Sequence, residues 1–181
     1  MIKLKNNKGM TLLEVLAVLV LTVLIFAIST PLLINGINRY NDIQTEITLR
    51  DEADLIMSKF FLEIYTLKES EIKNLNGVES PNTHNNYYIE YDREYLDTTT
   101  NKIKNKTYVL GFKDNLLYFK GEPYQFSNSS IQLSQNNNFS MIEKIGDNNY
   151  RVTLKLYNSN KKKSATFVNE IQTINDKGEG N

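Results

Sequence analysis

The chain has 181 residues, with 21 Lys and Arg against 21 Asp and Glu, so its formal net charge of zero supplies no electrostatic prior for a nucleic acid or an acidic partner. It has no cysteine, which excludes a disulfide framework, a thiolate nucleophile and a zinc-thiolate site. The average hides two materials: residues 15–34 carry no charged side chain, whereas the remainder is polar and rich in Asn, Lys and Tyr.

Residues 1–9 carry Lys3, Lys5 and Lys8 and no acid. An apolar run follows. About 20 helical residues rise about 30 Å, the thickness of a bilayer's hydrocarbon core, so residues 15–34 suffice to span it. Lysines ahead of the span hold that end in the cytoplasm and place the C-terminal bulk outside. Three readings compete. A secretory signal peptide has basic, apolar and cleavage regions, but here the apolar run is long, and Ala27-Ile28-Ser29 is followed by Thr30-Pro31, a poor context for a cut. An uncleaved single-pass anchor is the second. The third is a cut ahead of the apolar run, and Glu14 bears on it. A carboxylate in an apolar segment costs about 2.5–3.5 kcal/mol if it lies deep and less near the interface. Glu14 is either an acid snorkelling to the headgroups beside Lys8 or a functional intramembrane group with a partner.

The segment Lys8-Gly9-Met10-Thr11-Leu12-Leu13-Glu14-Val15-Leu16 closely resembles the prepilin signal of type IV pilins, type II secretion pseudopilins and competence pseudopilins. In that family a basic leader ends in Gly. A hydrophobic residue, usually Phe, opens the mature chain, and Thr, Leu and Glu follow at these spacings. Met10 stands here in place of the usual Phe. The resemblance implies cleavage between Gly9 and Met10 by a membrane aspartyl peptidase, and N-methylation of Met10 by the same enzyme. It also implies docking of one subunit onto another through Glu14, and an inner-membrane assembly platform as a further partner. The chemistry is coherent. Gly9 lets the bond enter a peptidase cleft in an extended form. The cut exposes an α-amino group in apolar surroundings, where an unpaired ammonium is costly. A neighbour's Glu14 carboxylate would neutralise it. At about 4 Å the attraction approaches ~4 kcal/mol for an effective dielectric of about 20, before desolvation costs.

Pro31 lies where many pilins carry a helix-distorting proline. It removes the hydrogen bond to the Ala27 carbonyl and disfavours helix at Thr30. It is either a simple membrane-helix kink or a stretch able to melt when subunits leave the bilayer. Beyond Gly36, the residues Ile37, Tyr40, Ile43 and Ile47 recur at helical spacing, and Ile56, Phe60, Ile64 and Leu67 do so again. This predicts one helix from the membrane out to about Leu67, fading over 74–77, with the apolar stripe as core.

Residues 77–86, with Pro81, His84 and several Asn, predict a loop with a solvated histidine. Alternation then predicts strands at 87–91, 107–113, 116–120, around 131–133 and 139–145, at 150–156 and at 164–174, with turns at 114–115 and 158–160. Sequential short strands with tight turns imply an antiparallel sheet and, with the long helix, an α+β fold. The arrangement resembles the type IV pilin-like fold, a long N-terminal helix with a transmembrane first half packed on a C-terminal antiparallel β-sheet. The expected organisation is a cleaved basic leader over 1–9, a hydrophobic transmembrane or filament-core helix over 10–35 and an amphipathic helix over 36–76 continuing into the globular domain. An antiparallel β-sheet domain over 77–176 and a disordered tail over 177–181 complete it. Phe167 and Ile171 fit loosely the Phe-x-x-x-Ile ending of the bulky members of the family.

No catalytic constellation stands out: there is one His, no Gly-x-Ser-x-Gly and no phosphate-cradling loop. No enzymatic activity, cofactor or metal is expected. Asp92, Glu94 and Asp97 form an acidic cluster without EF-hand spacing, a solvated loop in preference to a calcium site. Lys161, Lys162 and Lys163 form the dense basic run, either a charged hairpin turn or a DNA contact through phosphate attraction. The resemblance implies a structural subunit, a minor pilin or pseudopilin of a pilus-like, type II secretion or competence filament. Its partners would be other subunits, the prepilin peptidase, the assembly platform and membrane lipid. It would sit in the cell membrane with its C-terminal domain outside, then at the cell surface. The alternatives are a filament-tip pilin that binds DNA or a surface, and an unprocessed single-pass membrane protein.

Overall fold

The computed structural model describes residues 11–79, 86–99, 101–134 and 139–174. A 54-residue helix, α1 (Leu12–Tyr65), comes first. A single 3-10 turn (Glu69–Glu71) leads into β1 (Ile72–Asn76), β2 (Tyr87–Asp97), β3 (Lys102–Lys113), β4 (Leu116–Phe119) and β5 (Glu122–Pro123). Then come β6 (Ile131–Leu133), β7 (Met141–Lys144), β8 (Asn149–Asn158) and β9 (Lys163–Gln172). The fold is α+β, and it divides into two compact units, one up to Gln44 and one from Thr45 onward.

In the first unit the described chain is helix, and every residue of it is exposed, from Leu12 through Gln44. A helix that is apolar on all sides has no stripe to turn inward. Pro31 sits inside α1 without ending it. One residue ahead of it, the Thr30 hydroxyl donates to the Phe26 carbonyl at 2.7 Å, a back-bond that softens a helix without breaking it.

In the second unit α1 becomes amphipathic. Leu49, Ala53, Ile56, Phe60 and Ile64 recur three or four residues apart and are all buried. They form one core with both sheets, through Ile89, Tyr91, Leu110, Phe112 and Leu117 of the first and Ile142, Val152, Leu154 and Leu156 of the second. The Phe60 ring lies 5.6 Å from Phe112 and 4.8 Å from Phe119, centroid to centroid. Burying each such side chain stabilises the fold by about 1.5–3 kcal/mol.

Strands β1 to β5 form one antiparallel sheet in chain order. In the second sheet β8 is central: it pairs with β9 along its whole length and with β6 and β7 at its two ends. The β3–β4 connection is Asp114-Asn115, both at positive φ, and the β4–β5 connection is Lys120-Gly121, also both positive. Two consecutive left-handed residues match the twist of a tight hairpin. Gly111 in β3 has φ +122°, and a Cβ there would stand 2.6 Å from the Tyr87 carbonyl oxygen, so only glycine fits.

Several expectations change. The helix does not run through 36–76: it ends at Tyr65, and 72–76 is strand β1, with Leu75 opposite Ile89. Asn74 and Asn76 favour turns and extended backbone over helix, and Ile72 and Leu75 reach the core from the sheet edge. Of the predicted stripe, Ile56, Phe60, Ile64 and Leu67 are buried, but Ile37, Tyr40, Ile43 and Ile47 are exposed. The strands predicted at 87–91 and 107–113 continue to Asp97 and begin at Lys102. One sheet is in fact two, and β5 was not anticipated. The Gly9–Met10 bond, Pro81, His84 and the tail 177–181 lie outside the described residues.

Candidate functional site

α1 begins in a capping box. The Thr11 carbonyl accepts the first helical hydrogen bond, from the Val15 N–H at 3.2 Å. The Thr11 hydroxyl oxygen accepts from the Glu14 N–H at 3.3 Å. In return Glu14 Oε2 accepts from the Thr11 N–H at 2.9 Å and from the Thr11 hydroxyl at 3.1 Å. This is the Thr-x-x-Glu arrangement in which a cap residue and the third helical residue satisfy each other's orphan amides. The carboxylate also faces the positive end of the helix dipole. Glu14 Oε1 makes no hydrogen bond among the described residues. The acid that an apolar environment penalises is therefore half-satisfied by its own helix, with one oxygen left to accept from elsewhere.

Behind this head, α1 is long and apolar enough to cross a membrane. Val23, Phe26, Ala27, Pro31 and Ile34 border a shallow concavity around the proline. Every large side chain of this stretch faces solvent, so lipid or other helices are the surfaces it suits.

Two buried acids anchor the globular unit. Glu63 Oε1 accepts from the Tyr91 hydroxyl at 2.6 Å and from the Lys120 N–H at 3.0 Å. Burial pushes the Glu63 carboxyl above its ordinary range, against the pull of those two donors. Burial, and then the bond to Glu63, raise the Tyr91 phenol as well. Glu52 Oε1 accepts from the Tyr124 hydroxyl at 2.7 Å and from the Ser127 N–H at 3.2 Å. Both acids tie segments distant in sequence to α1.

The acidic trio does not converge. Asp92 faces one side of β2 and Asp97 the other, because five residues separate them in a strand. Asp92 accepts from Lys73 Nζ at 3.0 Å and from the Thr107 hydroxyl at 2.5 Å, and these bonds hold its carboxyl below the usual range. Asp97 pairs with Lys104. No group of three His, Cys, Asp or Glu able to hold a metal occurs among the described residues. Lys161 and Lys162 lie exposed in the β8–β9 turn, whereas Lys163 opens β9 and is half-buried. The Lys161 N–H donates to Asn158 Oδ1 at 3.0 Å, which shapes the turn.

Comparison with protein-family models, with curated proteins and with solved structures finds no match to this chain. The residues that sequence reasoning missed are Thr11, Glu52 and Glu63. Thr11-x-x-Glu14 is a legible cap signal. Glu52 and Glu63 flank the core positions Ala53 and Ile64, and acids beside an apolar stripe are the hint that they turn inward.

Proposed function

We propose that the chain is the precursor of a structural subunit, a minor pilin or pseudopilin of a type IV pilus-like, type II secretion or competence filament. It is cut after Gly9, methylated at Met10 and assembled by packing of its N-terminal helices. One observation carries this reading: α1 is exposed and apolar through its first half, and its head bears a carboxylate with one oxygen that accepts no hydrogen bond among the described residues. In the membrane, lipid covers such a helix. In a filament, helices of other copies take the place of lipid, and Ile37, Tyr40, Ile43 and Ile47 extend the exposed apolar surface they can meet.

The capping box adds a step to the docking chemistry. Before assembly Thr11 and Glu14 neutralise each other's needs within one chain. After the cut, a neighbour's α-amino group brings a full positive charge to the free oxygen of Glu14. Both partners of that bond are charged, whereas the Thr11 donors are neutral, so it competes with the local bonds and selects axial register. The globular unit is carried outside the membrane and then on the filament. It contributes no reaction.

Intact-mass measurement of the native protein tests the processing. A chain beginning at Met10 with one added methyl is expected. A chain beginning at unmodified Met1 would overturn the reading and leave a single-pass anchor. Glu14→Val tests the docking: the variant should insert in the membrane yet enter filaments poorly. Normal incorporation would remove Glu14 from the mechanism.

A further inference from the structure

Strand β9 leaves a long edge bare. It runs ten residues, Lys163–Gln172, in unbroken register with β8. The other edge strands are shorter: β1 has five residues, β5 two, β6 three and β7 four. Thr173 turns its N–H to the Asn148 carbonyl on the β8 side, at 2.8 Å, and the next residue, Ile174, turns its own to the Leu67 carbonyl on the other side, at 3.1 Å. Carried back along the ladder, that alternation points the N–H and C=O groups of Ser164, Thr166, Val168 and Glu170 away from β8. Residues 67–69 meet the outward side at Ile174, and Asn169 Oδ1 accepts from the Glu170 N–H at 3.0 Å. The N–H groups of Ser164, Thr166 and Val168 have no hydrogen-bond partner among the described residues.

Sheet edges are usually blunted by a charge, a proline, a bulge or brevity. From Ser164 to Asn169 β9 has none of these. Thr166, Phe167 and Val168 at its centre are strong strand formers, and Val168 stands 58% exposed. The charges sit at the two ends, Lys162 and Lys163 ahead of the stretch and Glu170 behind it. Arg151 holds Glu170 Oε1 across the ladder at 2.9 Å, while Oε2 accepts no hydrogen bond among the described residues. Such an edge is a template for strand addition, and its ends select the strand.

We propose that this edge pairs antiparallel with β9 of a second copy of the chain, about a two-fold axis at Thr166. A two-fold axis normal to the sheet keeps each face with its like, so odd residues oppose odd ones and even residues oppose even ones. Among such registers, the one centred on Thr166 sets Glu170 directly across from a lysine, Lys162 of the second copy, and it does so at both ends. Thr166 then lies opposite itself, and Ser164 opposite Val168. These are the three residues whose outward N–H groups lack partners, and each opposed pair exchanges two N–H···O bonds. Thr against Thr is a favourable cross-strand pair, and no like charges meet directly along the seam. The pair is isologous and closes on two copies, which leaves no β9 edge for a further strand to add. The inference uses the globular unit and no part of α1, so it holds for an anchored chain as well as for a filament subunit.

The chain has no cysteine, so single introduced cysteines report the register. Each variant, as the full chain in zwitterionic micelles, is oxidised with copper phenanthroline and run on non-reducing gels. Thr166→Cys should form a disulfide dimer, because opposed residues have Cα atoms about 5.5 Å apart, within disulfide reach. Ser164→Cys alone and Val168→Cys alone should stay monomeric, because each stands about 14 Å from its own counterpart. An equimolar mixture of those two should crosslink. Adding Thr166→Pro to both members of the mixture should abolish that crosslink with the fold intact, because the lost N–H points away from β8. Thermal melting followed by circular dichroism confirms that each variant is folded, and maleimide labelling that each cysteine is reactive. A folded, reactive Thr166→Cys chain that stays monomeric overturns the proposal. So do equal yields at 164, 166 and 168, the pattern of random collision or of association through α1 alone. So does a mixed crosslink that survives Thr166→Pro.

Discussion

The two halves of α1 are one helix built for two surroundings. From Leu12 to Gln44 its side chains are exposed on every side, and its charged groups cluster at the two ends, Glu14 at the head and Arg39 and Asp42 near the foot. From Thr45 to Tyr65 one face turns inward: Leu49, Ala53, Ile56, Phe60 and Ile64 disappear into a core, with Glu52 and Glu63 buried beside them. The second half is held by packing inside its own chain. The first half is held by its own hydrogen bonds and by whatever apolar medium encloses it. A helix of this kind carries its information in what it leaves uncovered.

The sharpest way to break the comparison is to remove one large side chain from each half. Phe60→Ala empties a site bordered by Phe112 and Phe119, and should cost about 3–5 kcal/mol of global stability. Leu19→Ala removes a comparable apolar group with no packed neighbour to lose, and should leave unfolding of the globular unit within about 0.5 kcal/mol of wild type. Denaturant unfolding in micelles, followed by tyrosine fluorescence, measures both. Equal losses would mean that the first half is packed as the second is.

Glu63→Leu comes next. It leaves the buried Tyr91 hydroxyl and the part-buried Lys120 N–H without their acceptor, at about 1–3 kcal/mol for the first and less for the second, so a loss of about 2–4 kcal/mol is expected. Glu63→Gln keeps an acceptor oxygen and should lose much less. It should also change the pH profile. The folded state holds the Glu63 proton more tightly than the unfolded chain does. Stability is therefore greatest with Glu63 protonated, and it falls as pH rises from the ordinary glutamate range through the raised folded value. The Gln variant should flatten that segment of the curve. An unchanged slope would show that Glu63 titrates normally.

How legible these features were depends on how local their causes are. The apolar run, the period of Ile56, Phe60 and Ile64, the alternation from Tyr150 to Leu156 and the Asp114-Asn115 turn are short-range patterns, and each was readable in the sequence. Strand β1 was not: Ile-Lys-Asn-Leu-Asn has neither period, and it becomes a strand because Tyr88 to Tyr91 offer it an edge. The split into two sheets is invisible for the same reason. The contiguous run Lys161–163 draws the eye, yet it is a turn with its third lysine half-buried. Glu63 reads as an exposed position until Tyr91 and Lys120 arrive from distant segments. Around Glu14 the signal for subunit docking and the signal for a helix cap are the same residues. A motif read for one purpose conceals the other.

The smallest effect concerns that overlap. Thr11→Ala removes the hydroxyl that accepts from the Glu14 N–H and donates to Glu14 Oε2. Loss of such a cap costs about 1 kcal/mol. In the globular half a loss of that size would register in global unfolding. Here it should stay local, because nothing in the core rests on the first turn. Hydrogen exchange in micelles should show faster exchange at the Leu13, Glu14 and Val15 amides, with the amides of β3 and β8 unchanged. The same substitution loosens Glu14 from its own chain, leaving only the backbone N–H of residue 11 bonded to Oε2. If the capping box holds the carboxylate in reserve for a neighbour's amine, Thr11→Ala should still allow assembly while Glu14→Val does not. If instead the cap is what orients Glu14 for docking, the two variants should fail alike. The pair of measurements separates an acid that ends its own helix from one that answers another.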